Sequence, residues 1–364
     1  MKFTTLSFTS VLAISVAAKH DGSFAVLRFN NEGGKFSTEG RMDPVVSPGT
    51  ASGHSHGIMG GSNFGLTVNG PDLLDSKCTN ALIVNDKSNY WVPNLWFQSP
   101  KNSTFKKVPL DYMSVYYKFD TTNDDIKAFP SGLKIVSGDA MKRTPPATGG
   151  LQLDPSQGEI QAVQWTCPTA NTNEDRYPPG SDGTKAGMVD PNNKGSGAGF
   201  PVVNCDGVYS PLRQDIHLPS CYNPAAGLDD YANNMAFPTA NGNALDCPEG
   251  WTHVPHLFYE IYYSTTDFEN EWDEDGAHQP FVLSNGDRTG FSSHADFISG
   301  WDVDTLQTMI DGCNAGDAGM DKCPKIIGGI NTSDKCQIES AVPDPSEDWI
   351  TALPGNNPLA GWGV

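Results

Sequence analysis

The chain has 364 residues, with Lys+Arg 23 against Asp+Glu 43 and a formal net charge of −20. That sign disfavours nucleic acid and anionic membranes, which are held by clustered Lys and Arg, and leaves neutral or cationic partners, a neutral polysaccharide or cell-wall glycan among them. The length allows one large or two ordinary domains, and 10% aromatic residues exclude a disordered chain even with 38 Gly and 27 Pro.

In chain order, Met1-Lys2, the apolar run from Leu6 to Val16 and the small residues Ala17-Ala18 read as a secretory signal over residues 1–18. A secreted, extracellular or cell-wall monomer is therefore expected. No other stretch approaches the ~18 apolar residues that a membrane span needs. Strand-like runs, rich in β-branched and aromatic residues between turn residues, fall at 24–29, 81–84, 91–97, 113–119, 133–136, 160–165, 257–263 and 281–283. The run at 257–263 is apolar on both faces and should be central in a packed sheet. One helix is expected after Asp302, an N-cap residue followed by Val303, Leu306, Met309 and Ile310 at helical spacing.

These elements predict a mostly β chain, a β-sandwich or jelly roll with long Gly/Pro-rich loops at 144–159 and 168–202. Residues 19–302 would form one catalytic or binding domain. Residues 303–364 would add a helix and a Cys-containing, disulfide-tied tail packed on it. All eight Cys lie after the signal, with no Cys-x-x-Cys pair, so disulfides are expected and zinc-thiolate or redox roles are not. Connectivity stays open, since eight Cys allow 105 pairings. The sequons at Asn102 and Asn331 are candidate glycosylation sites.

Histidine carries the chemical signal. His54-Ser55-His56 places two imidazoles on one face if extended, suited to binding a divalent metal or to acid–base work. His294 alternates with Asp296, a carboxylate able to orient the ring, and Asp287 precedes them. His217 alternates with Asp215, while His253 and His256 are more often structural. Glu260, inside an apolar strand, must pair or carry a raised pKa. Arg41 and Asp43 precede the histidine pair. Trp301 and other Trp residues offer faces for sugar stacking. No nucleophile elbow, phosphate loop, dinucleotide fingerprint or His-Glu-x-x-His is present.

Several blocks resemble a known family. Arg41-Met42-Asp43-Pro44 through Ser52-Gly53-His54-Ser55-His56, Gly60-Gly61-Ser62-Asn63-Phe64 and Lys87-Ser88-Asn89-Tyr90-Trp91-Val92-Pro93 begin the series. Gly132 to Asp139, Leu218-Pro219-Ser220-Cys221, Cys247-Pro248 with His253, Ser284-Asn285-Gly286-Asp287 and His294-Ala295-Asp296-Phe297-Ile298-Ser299-Gly300-Trp301-Asp302 complete it. Together, over about residues 27–302, they look like the domain-of-unknown-function family DUF1996. His-Ala-Asp stands where His-Gly-Asp is more frequent. The resemblance implies a secreted fungal or cell-wall protein and no settled activity. It carries over Arg41, Asp43, His54, His56, His253, Asp287, His294, Asp296 and Asp302.

The resulting expectation is a secreted carbohydrate-active enzyme, a glycoside hydrolase or polysaccharide lyase. His54, His56, His294, Asp296, Asp43 and Asp287 would be catalytic, and the three histidines would be ligands of a divalent metal. Arg41, His253, Trp301 and Arg288 would bind substrate. Hydrolysis would need two carboxyl groups about 5–10 Å apart across a groove. The alternative is a non-catalytic wall-binding or stress-sensing module with a structural metal. A metal-dependent nuclease fits the acidic composition poorly.

Overall fold

The computed structural model describes residues 19–30, 35–146, 150–167, 196–201, 205, 212–272, 279–333, 335–345 and 348–361. The segment 1–18 expected to be a signal, residues 147–149 of the first long loop and residues 168–195 and 202 of the second lie outside them. In chain order, the strands of the two main sheets are β1 (Phe24–Arg28), β2 (Thr38–Gly40), β3 (His56–Gly60), β4 (Asn89–Pro93), β5 (Leu110–Lys118) and β6 (Lys134–Gly138). There follow β7 (Val163–Thr166), β8 (Ser196–Gly197), β9 (Leu212–His217), β10 (His256–Tyr263) and β11 (His294–Ile298).

One antiparallel sheet runs β2-β3-β4-β11-β6 and the other β1-β5-β10-β9-β7-β8. The strand expected to be central, β10, lies between β5 and β9. The period of two divides each strand between faces. Met59, Tyr90, Val92, Ile135, Ala295 and Phe297 turn inward from the first sheet. They meet Leu27, Val115, Tyr117, Leu257, Tyr259 and Ile216 from the second in one buried cluster. Phe297 is 0% exposed, and Phe297→Ala is expected to cost about 3–5 kcal/mol. The opposite face of the first sheet carries a smaller core, with Ile58, Trp91 and Ile298 covered by Met42, Val45 and Leu73.

A polar chain crosses the main core. Tyr90 donates to Asp86 at 2.6 Å and its hydroxyl meets that of Tyr117 at 2.6 Å, while Trp301 Nε1 donates to Tyr117 at 2.8 Å. Buried hydroxyls are tolerated because each finds a partner. Trp301 is 0% exposed, so its indole belongs to the core and not to a sugar-binding surface.

Two expected strands change form. The 91–97 run splits into β4 and a strand Leu95–Gln98 in a separate three-stranded sheet. Pro93 has no N–H to extend the ladder, and Asn94 turns aside, its amide donating to the Ser55 carbonyl. Residues 81–84 make only single bridges, Ala81 to Phe29 and Ile83 to Ile330. The helix is present as α1 (Val303–Gly312), where Asp302 accepts the Thr305 N–H at 2.9 Å and Leu306, Met309 and Ile310 are buried.

Four disulfides join Cys78–Cys336, Cys167–Cys205, Cys221–Cys247 and Cys313–Cys323. The first closes 258 residues of sequence and ties the C-terminal tail to the segment before β4. No helix among the described residues is long and apolar enough to cross a membrane. Four disulfides are consistent with an extracellular protein.

Burial pushes the Asp86 carboxyl up to about 6 from its ordinary 3.8. The folded chain then holds a proton that the unfolded chain releases, so this contribution is full below about pH 3.8 and fades as pH rises through 6. Relative to Asp86→Asn, the wild type should gain roughly 2–3 kcal/mol as pH falls from about 7 to about 4. Denaturant titrations at each pH measure the difference, and a flat difference contradicts the assignment.

Candidate metal centre

The outward face of the first sheet brings three imidazoles together. His56 begins β3, His294 begins β11, and His54 projects from the short segment that enters β3. Ring centroids are 4.4 Å apart for His54–His56, 5.0 Å for His54–His294 and 5.7 Å for His56–His294. His54 Nε2 and His294 Nε2 face each other at 3.1 Å. A tetrahedral ion with bonds of ~2.0–2.1 Å separates its ligand atoms by about 3.3 Å. One atom from each of the three rings lies within 4.8 Å of the others, so modest ring rotation would close the set.

Hydrogen bonding prepares these rings unequally. His294 Nδ1 lies 2.8 Å from the Ser292 carbonyl, so it carries the proton and turns its Nε2 lone pair toward the cluster. Sequence alternation assigned that orienting role to Asp296, but the backbone performs it. His56 is 0% exposed; its ring nitrogens make no hydrogen bond of strict geometry among the described residues, and the Met42 backbone is the polar group close enough to interact with it. Buried polar atoms seldom lack partners. Such a ring between two further imidazoles has the donor atoms that a divalent cation takes.

The electrostatics agree. Burial, the neighbouring His294 and Arg143 hold His54 down at about 3. Burial and both partner rings hold His56 well below its ordinary value. His294 is lowered chiefly by burial. All three are neutral at pH 7, the form that ligates a metal.

The expected carboxylates have other duties. Asp43 accepts the Val45 and Val46 N–H groups at 3.0 Å and caps its own turn. Asp287, 0% exposed, accepts from the amides and hydroxyls of Thr289 and Ser292, fixing the turn whose Ser292 carbonyl orients His294. Asp296 is buried beside the site with no hydrogen-bond partner among the described residues, and burial followed by the Asp43 charge pushes its pKa well up. All three are buried, at 4% exposure or less, and none lines a described cavity, unlike the paired carboxylates expected to face a groove for hydrolysis.

Arg41 donates to the Ser52 carbonyl at 3.2 Å and so pins the segment that carries His54. Arg288 is buried against Gln279, 3.4 Å from its carbonyl. His253 joins Thr122 and Asp124, away from the triad. Cys247 beside it is committed to the Cys221 disulfide and offers no thiolate. Arg143 went unnoticed in the sequence. It bonds the Ala140, Lys142 and Asn285 carbonyls and lies 3.9 Å from Asp287, a contact 144 residues apart with no local pattern to announce it. A cavity of about 410 Å³ is lined by Gly138, which pairs with His294, and by Asp139, Lys142, Glu159, Tyr231 and Phe291; none of the three histidines lines it.

The two sequons differ. Asn102 is exposed and only its side-chain oxygen is engaged, by Thr104. The Asn331 amide nitrogen donates to the Thr79 and Ala81 carbonyls at 2.6 and 3.1 Å. The family model for a Domain of unknown function (DUF1996) matches residues 43–301. No curated protein and no solved structure matches the chain.

Expressed in a glycosylating host, the protein should lose glycan mass on Asn102→Gln and keep it on Asn331→Gln. Glycopeptide mapping that finds full occupancy at Asn331 opposes this reading. Titration with Co²⁺ or Zn²⁺ should saturate at one equivalent and stabilise the fold by ~2.7 kcal/mol at a hundredfold excess over Kd. His54→Ala and His56→Ala should each abolish that gain in thermal melts. Undiminished stabilisation in both variants rules out the triad as the binding site.

Proposed function

We propose that this chain, which belongs to the DUF1996 family, is a metal-dependent carbohydrate-active enzyme. His54, His56 and His294 hold one divalent transition-metal ion, and a neutral polysaccharide is cleaved beside it. The observation that carries this reading is the convergence of three buried or half-buried neutral imidazoles, with one ring atom of each within 4.8 Å of the others. Three imidazole ligands suit Zn²⁺, Cu²⁺ or Ni²⁺ better than Ca²⁺ or Mg²⁺, which take oxygen. When bound, such an ion supplies Lewis acidity and a water of lowered pKa.

The chain's own groups divide the remaining work. His294 is held in one tautomer by Ser292, and His54, only partly buried, is the ligand on the solvent side. Arg143 puts a fixed positive charge near both rings, positioned to stabilise negative charge that develops on a substrate oxygen. A cavity lined by Gly138, the pairing partner of His294, carries Tyr231, Asp139 and Glu159 side chains that suit a polyhydroxylated ligand. The acidic composition opposes polyanions.

One observation favours a second reading, a metal held for structure alone. His56 and His294 are 0% and 4% exposed, and closed structural sites are buried. A panel of neutral plant and fungal glycans, incubated with metal-loaded protein, separates the two. Under the enzymatic reading, cleavage products appear, vanish with chelator, return with metal, and fall at least about 100-fold in His294→Ala. Full metal occupancy with no product on any glycan leaves the structural reading standing and the enzymatic one refuted.

A further inference from the structure

The Asn102 sequon sits at the tip of a hairpin. Strands Leu95–Gln98 and Phe105–Lys107 pair antiparallel with Gln98 opposite Phe105. The turn between them is closed by the Ser99 amide on the Thr104 carbonyl at 2.8 Å and the Ser103 amide on the Ser99 carbonyl at 2.9 Å. Ser103 has φ +61°, a left-handed conformation uncommon for any residue but glycine. Asn102 Oδ1 accepts the Thr104 N–H at 3.1 Å and its hydroxyl at 2.7 Å. That leaves Nδ2, the nitrogen that takes a glycan, outside the hydrogen bonds of the turn.

Beside the tip lies a groove of about 320 Å³. It is lined from the hairpin by Gln98, Ser103 and Phe105 and from the C-terminal tail by Thr351, Asn356 and Leu359. No charged side chain lines it, in a chain with 43 acidic and 23 basic residues. The 410 Å³ cavity, by contrast, holds Asp139, Lys142 and Glu159. Phe105 is 5% exposed and belongs to the small core shared with Leu353, whereas Gln98, Ser103, Thr351 and Asn356 are partly or fully exposed. Neutral amides and hydroxyls beside an apolar surface suit a sugar, with hydroxyls around its ring and C–H groups on its faces. The volume is near the lower limit of small-molecule sites, about 300 Å³, so the groove fits a sugar unit and not a polymer. Asn102 can supply that unit in place, because its Cα is about 3.8 Å from that of Ser103, which lines the groove.

We propose that the first sugar of an N-linked glycan on Asn102 occupies this groove and braces the tail against the hairpin. Its hydroxyls exchange hydrogen bonds with the Gln98 and Asn356 side chains, and Leu359 takes an apolar edge of the ring. Covalent attachment spares the sugar the entropy of association, so weak contacts suffice. Residues 351–359 lie between two backbone contacts of the tail, Ile350 with Phe105 and Ala360 with Asp287. They include Asn357, whose amide donates to the Gly53 and Ser284 carbonyls at 2.8 and 3.0 Å. The brace therefore steadies the residue that precedes His54, whether or not the triad carries metal.

Hydrogen exchange on protein secreted from a yeast host tests it. Wild type should carry a glycan at Asn102, and the backbone amides of 353–359 should exchange at least about threefold more slowly than in Asn102→Gln made the same way. Trimming with endoglycosidase H to a single N-acetylglucosamine should keep that protection. Ala352 is exposed and lines the groove, so Ala352→Trp should fill it, keep the glycan, and erase the difference that Asn102→Gln makes. Four results overturn the proposal: an unoccupied Asn102, equal exchange with and without the glycan, protection lost on trimming, or a glycan-dependent difference that survives Ala352→Trp. None of them bears on the triad, which is scored by metal content and by cleavage of glycans.

Discussion

Side-chain alternation along β11 couples the candidate metal centre to the hydrophobic core. Ala295 and Phe297 point into the contact between the sheets, and His294 and Asp296 necessarily point the other way. Sliding the strand by one residue would bury an imidazole in the main core and expel a phenylalanine. The burial of Phe297 thus fixes where His294 stands, with an energy far larger than any hydrogen bond the ring makes itself. On β3, the exchange of Met59 for Ile58 between the two cores places His56 in the same way.

His54 is the imidazole of the three that no strand positions. Its segment is held by Arg41 on one side and by the C-terminal tail on the other, where the Asn357 amide donates to the Gly53 carbonyl at 2.8 Å. The tail backbone comes so near that a Cβ on Gly355 would lie 2.4 Å from that carbonyl. The Cys78–Cys336 bridge anchors the tail's beginning. A disulfide that joins ends 258 residues apart thereby restrains the most exposed member of the triad. It confines a loop whose freedom would otherwise raise the cost of assembling three ligands.

What the sequence made legible followed from short-range rules. Strand alternation and the Asp302 cap are local, and so are the paired His54 and His56. Their meeting with His294 depends on β4 lying between β3 and β11, a sheet order that no single-strand pattern encodes. The carboxylates were misread for a related reason. Asp43 and Asp287 sit two to five residues from the amides they bind, and a side chain that satisfies its own turn looks in sequence like one offered to a ligand. Trp301 misleads in the same way, because its partner Tyr117 is 184 residues away. Neither Arg143 nor the Asp86–Tyr90–Tyr117 chain carries any local signature.

The end of β6 shows how tightly the site and its surroundings are joined. Gly138 pairs with His294, adopts φ +90°, and a Cβ there would lie 2.3 Å from the Ser293 carbonyl and 2.8 Å from His294 Cα. Only a glycine lets the edge strand close on the β11 backbone at His294. Just beyond it, Arg143 reaches the Asn285 carbonyl while Asn285 returns a bond to Ala140 at 2.9 Å. These reciprocal bonds clamp the β6 exit onto the turn that Asp287 organises. Of these residues Gly138 lines the 410 Å³ cavity, with Asp139 and Lys142 beside it in sequence. A side chain in place of Gly138 would push the edge strand away and disturb cavity, clamp and His294 together, although it touches no metal ligand's donor atom.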